Sequence, residues 1–113
     1  MDAAAVRALA EAAATGVCWS AATADLNVNL LAWPPGHRVE NHVNDAVDVA
    51  VVVLHGSGVL TVGERVVDLG PGATALIPRG ARRSIEARTR LLYLSIHRCR
   101  PGLVPAPLRV PET

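Results

Sequence analysis

Between Val17 and His97 proline or glycine interrupts the chain so often that no apolar run outlasts a single strand. Punctuation of this kind leaves no room for a long helix and is the pattern of an all-β barrel or sandwich. The runs predicted as strands cover residues 17–20, 26–33, 37–44, 48–55, 58–61, 65–69, 73–77, 81–87 and 91–97. Gly63-Glu64 makes a two-residue hairpin loop, and Gly70-Pro71-Gly72 a tight turn with glycine in its third place. Outside this region the pattern changes. Asp2 caps an Ala-rich stretch that Gly16 stops, which predicts a short N-terminal helix. After Cys99, four prolines predict an extended tail. The chain thus divides into a helical segment (1–16), a β domain (17–98) and a Pro-rich tail (99–113).

Alternation assigns faces within the strands. In 26–33, Leu26, Val28 and Leu30 oppose Asn27 and Asn29, so the asparagine face is expected to meet water. Residues 49–54 are apolar at every position, so both faces of that strand need cover. In 81–87, Ala81, Arg83, Ile85 and Ala87 share a face opposite Arg82, Ser84 and Glu86. Arg83 is then the one charged residue in an inward-looking apolar series. In the last strand Leu92, Leu94 and Ile96 form the apolar face, which leaves Tyr93, Ser95 and His97 for a surface or an interface. His55, at a strand end, reads as a turn residue.

With 113 residues the chain has the size of one domain with one core. Half of it is apolar, yet Phe is absent, so Val, Leu, Ile and Ala must fill the interior. A formal net charge of +1 gives no electrostatic support for binding a nucleic-acid backbone. Arg82, Arg83, Arg88, Arg90, Arg98 and Arg100 crowd one region, which by itself reads as a solvated face. No stretch is apolar for long enough to span a bilayer, and no secretory signal is evident, so cytoplasmic residence is expected. Cys18 and Cys99 form no C-x-x-C pattern and are taken as ordinary thiols. Nothing resembles a nucleophile elbow, a P-loop or a dinucleotide fingerprint.

Residues 36–56 and 72–83 resemble the two motifs of the cupin superfamily, and the strands around them are similar to its barrel. The resemblance implies a cupin-type jelly-roll β-barrel. In motif one, Gly36 stands five residues before His42, Asn44 takes the place of a second histidine, and Gly56 closes the motif. Asp48 lies one residue from the acid's place, which Val49 occupies. In motif two, Gly72, Pro78 and Gly80 fit, and Arg83 stands where the family has its third histidine. Members with three His and one Glu hold a divalent transition metal and carry out dioxygenase, isomerase or decarboxylase chemistry. Here His42 alone of that set survives.

A guanidinium has no lone pair for a metal and repels a cation. The first expectation is therefore a barrel that binds a small anionic molecule through His42, Asn44, Asp48 and Arg83, with no cofactor and no assigned catalytic residue. Arg83 would supply the positive charge a metal would have carried, paired with Asp48 or Asp45. A homodimer is expected, because the doubly apolar fourth strand needs an outer cover. A second reading is a metal-dependent enzyme in which His42 and Asp48, with His97, hold the divalent transition metal and Arg83 clamps an anionic substrate. A third is a structural or regulatory barrel whose interior is filled by side chains.

Overall fold

A computed structural model describes residues 1–43 and 46–99, and at 40–43 the backbone alone. Among these residues one helix, α1 (Ala3–Glu11), precedes nine strands: β1 (Gly16–Ala22), β2 (Leu26–Trp33), β3 (Arg38–Val43), β4 (Val49–His55), β5 (Gly58–Val62), β6 (Arg65–Leu69), β7 (Thr74–Ile77), β8 (Arg82–Ala87) and β9 (Leu91–Arg98). All pairings are antiparallel. They form a five-stranded sheet in the order β1-β2-β9-β4-β7 and a four-stranded sheet in the order β3-β8-β5-β6. The result is an all-β jelly roll of two facing sheets, which strand pairing among the described residues does not close into a continuous barrel.

The main core lies between the sheets. Val49, Val51, Val53 and Tyr93 from one sheet meet Leu60, Ile85 and Ala87 from the other, all nearly or fully buried. Toward one end Trp33 donates its indole N–H to the Tyr93 hydroxyl at 3.1 Å and stacks on His37. That end is also where Gly56 passes the β8–β9 connection. With φ at +83°, a Cβ at position 56 would overlap the carbonyl oxygen of Arg90, so the motif's closing glycine is required by backbone approach.

A second, smaller core lies on the outer face of the five-stranded sheet. Leu9 and Ala10 of α1 pack there over Leu30, Ala32 and Leu92. Asp2 caps the helix as expected, its Oδ1 accepting the Ala5 N–H at 2.9 Å. The other end is held by Arg90, whose guanidinium donates to the carbonyls of Leu9 (2.8 Å), Ala10 (2.8 Å) and Ala14 (2.9 Å). These carbonyls lie at and just beyond the last turn of α1, where helical partners run out and a cation suits the helix dipole.

The expectation that β4 is apolar on both faces holds. Val49, Val51 and Val53 are buried inward, while Ala50, Val52 and Leu54 are half-buried on the outside. Register then lines up Val28, Ile96, Ala50 and Leu76 across four strands. This apolar row is open at its β7 edge, where Leu76 is 74% exposed, and Leu26, two residues before Val28 on β2, is 48% exposed beside it. A groove of about 440 Å³ runs along it, with Asp48 and Arg98 at its rim.

Candidate functional site

The polar interior gathers at the end of the jelly roll where β8 begins and β9 finishes. There the 78–81 turn carries the chain from β7 in one sheet to β8 in the other. Ala81 donates its N–H to the Pro78 carbonyl at 3.1 Å, and Gly80 supplies the positive φ, +83°, that the third position of such a turn requires. The Asp48 carboxylate accepts the Arg79 N–H at 2.8 Å and so ties the turn to the start of β4.

Just past this turn comes Arg83, only 2% exposed. Ile85 and Ala87 continue its face into the core, so the inward direction that strand alternation predicts is what the structure has. In register Arg83 pairs with Val62 of β5 and with His42 of β3. A β-bulge between Val39 and His42 inserts one residue, which brings His42 rather than Asn41 opposite Arg83. Asn44 and Asp45 lie outside the described residues.

The opposite wall reverses two expectations. Asn27 (4% exposed), Asn29 (2%), Ser95 (0%) and His97 (4%) point inward, on the same face as Leu31 and Tyr93, whereas Leu26 faces out. The asparagine face of β2 is not wet, and Tyr93, Ser95 and His97 are interior rather than surface residues. Alternation fixes which residues share a face but not which face is inside. Here α1 covers Leu30, Ala32 and Leu92 from outside, so the leucine side of the strand is not obliged to look inward.

Part of this wall is self-satisfied. Asn29 Oδ1 accepts from the Ser20 hydroxyl at 2.9 Å, and Asn27 Nδ2 lies 3.3 Å from His97 Nε2. With the amide as donor, Nε2 accepts, and Nδ1–H donates to the Arg98 carbonyl at 2.9 Å. Both ring nitrogens of His97 are thus engaged. Asn29 Nδ2 and Ser95 Oγ, paired in register on β2 and β9, are buried with no hydrogen-bond partner among the described residues. Each such omission costs about 1–3 kcal/mol, which an apolar side chain of the same shape would avoid.

Two of the places that the resemblance gives to metal ligands hold residues that cannot ligate. The four places hold His42, Asn44, Val49 and Arg83. Val49 is a core residue at 2% exposure, Arg83 offers no lone pair, and Asp48, the neighbouring carboxylate, is bound to the turn. The Nε2 lone pair of His97 is directed at Asn27. Among the described residues no group of three His, Cys, Asp or Glu side chains gathers around a point.

At the mouth of this end lies a cavity of about 490 Å³, lined by Ala46, Val47, Asp48, Arg79 and Arg98. Among the described residues its lining thus has two arginines and one aspartate. Sequence reasoning identified Arg83 and missed Asn27, Asn29, Ser95 and His97 as interior groups. The signal that was present is the N-terminal helix. Its own apolar residues need a sheet face to rest on, and that face has to be an outer one.

Two facing antiparallel sheets with a few polar groups inside one end define a jelly-roll domain. The cupin domain matches residues 29–97, and the chain belongs to the cupin family. Among solved structures it is similar to TT1209 from Thermus thermophilus, with 28% identity, a TM-score of 0.66, and 78% of this chain and 84% of that one covered. It is also similar to KdgF from Halomonas sp., at 19% identity and a TM-score of 0.68, covering 73% of this chain and 76% of that one. A predicted oxalate decarboxylase from Thermotoga maritima matches at 25% identity with a TM-score of 0.59, covering 63% of this chain and 64% of that one. No curated protein matches the chain.

Proposed function

We propose that this cupin binds a small anionic molecule between its sheets, at the end where Arg83 takes the place of a metal-binding histidine. The observation that carries the reading is a guanidinium 2% exposed on an inward face whose other members are apolar. The planar fork of a guanidinium suits a carboxylate, and it has more than one N–H to offer. His42, in register beside Arg83, and Asn44 supply further polar contacts, while Asp48 acts from the mouth by holding the 78–81 turn. One structural neighbour is named for oxalate, which is in keeping with an anionic ligand.

Isothermal titration with succinate, malate and citrate tests the reading. At least one is expected to bind, and Arg83→Leu is expected to weaken it roughly 10-fold to 100-fold, the worth of a charge-assisted hydrogen bond. Arg83→Lys should retain part of the affinity, because it keeps the charge and loses the fork. Equal binding by Arg83→Leu, or no binding by the natural chain, overturns the proposal. A stoichiometric transition metal in protein purified without chelator, lost in His42→Ala, would point instead to the metal-dependent reading.

We also propose that the chain works as a homodimer, with the outer apolar row of the five-stranded sheet as the shared surface. A cytoplasmic setting agrees with Cys18 and Cys99 being free thiols. No helix among the described residues is long and apolar enough to cross a membrane.

A further inference from the structure

Asn29 and Ser95 present the interior with one amide donor and one hydroxyl that have no partner among the described residues. They sit side by side across β2 and β9, one inward step deeper than the Asn27–His97 pair. Ser95 is also in register with Val51 of β4, and Leu31 is the next inward residue on β2, so their surroundings are apolar. Positions like these are cheapest to fill with valine or leucine, as positions 51 and 31 are. Polar residues there weaken the closed fold and acquire a benefit only when something polar joins them.

We infer that Asn29 and Ser95 form the second wall of the ligand site and read hydroxyl groups, so that the ligand class is a small hydroxylated carboxylic acid. The inference rests on the anionic reading just given. Arg83 on the four-stranded sheet takes the carboxylate, and Asn29 Nδ2 and Ser95 Oγ on the facing sheet take the hydroxyls. An amide donor beside a hydroxyl, which both donates and accepts, complements an alcohol group better than it complements a second charge. Facing sheets pack about 10 Å apart, so a molecule of a few carbons spans the gap. Both atoms are shut off from solvent in this conformation. Binding therefore requires side chains at the polar end to shift, and the ligand then makes hydrogen bonds that the closed interior leaves unmade.

The test compares matched acids by isothermal titration: glycerate against propionate, malate against succinate, and gluconate against hexanoate. At least one hydroxylated acid is expected to bind roughly tenfold tighter than its plain counterpart. Ser95→Ala and Asn29→Ala should each erase that preference, bringing the hydroxylated acid's affinity to that of the plain acid in the same variant. Arg83→Leu should weaken both members of the pair. The thermal melt of Ser95→Ala should stay close to that of the natural chain, since it removes a hydroxyl with no partner among the described residues, whereas Asn29→Ala also loses the bond from the Ser20 hydroxyl and should melt lower. If the natural chain binds both members equally, or the variants keep the preference, the hydroxyl wall is overturned and the anionic site stands. If no acid of either series binds, the anionic reading itself fails and takes the inference with it.

Discussion

Asp48 accepts the Arg79 N–H at 2.8 Å, and this bond fixes the turn from which Arg83 enters the interior. Replacing Asp48 by Ala removes a charged acceptor from a solvent-exposed turn. A loss of about 0.5–1.5 kcal/mol is expected, read as a lower urea midpoint with an unchanged slope. Carboxylate affinity should fall far less than in Arg83→Leu, and equal losses would make Asp48 a direct contact of the ligand. The one-residue offset between Asp48 and Val49 was visible in the sequence, and strand periodicity gives its consequence. Val49 is in the core and Asp48 is not. Arg83 was legible for the same reason, since the apolar residues on its face fix the direction. Asn27, Asn29, Ser95 and His97 were not. The outer face of β2 and β9 is covered in part as well, so polarity alone could not say which face was inside, and that cover comes from a helix whose contact with β9 is remote in sequence.

Glycine and proline mark nearly every element boundary, which is why β2 and β6 appear with the bounds their sequence predicts and the other strands within a few residues. The bulge in β3 could not be read that way, because a bulge is a relation between two strands and its partner β8 lies some forty residues on. The attachment of α1 was also hidden, since it depends on Arg90, distant in the chain and grouped by sequence with a solvated arginine cluster. Instead, three of its hydrogen bonds close the C-terminal end of the helix. Arg90→Ala should therefore free α1 without unfolding the sheets. Amides of α1 should exchange faster while those of β4 and β9 keep their protection, and stability should drop by about 1–3 kcal/mol. Loss of protection in the strands as well would mean that the helix is integral to the fold rather than docked on it.

Under the proposed function the two faces of the five-stranded sheet take opposite roles: the polar-ended interior for a ligand, and the apolar exterior for a second copy of the chain. On that exterior α1 covers Leu30, Ala32 and Leu92, but the row through Val28, Ile96, Ala50 and Leu76 continues beyond it to an open β7 edge. A second copy is a fitting cover. The row is apolar at its centre, and Asp48 and Arg98 at the rim of its groove give both charge signs, so the same patch can match itself about a twofold axis. Sedimentation of the natural chain should give a dimer whose melting temperature rises with protein concentration, as mass action requires. Leu76, exposed at the edge of the row, gives the cleanest test, because Leu76→Asp places a charge in the interface without disturbing the core. This variant should shift the dimer dissociation constant upward by roughly 100-fold or more, with the monomer still folded and still binding a carboxylate through Arg83. A natural chain that sediments as a monomer at tens of micromolar, or a Leu76→Asp variant that remains a tight dimer, would remove this face from consideration as the shared surface.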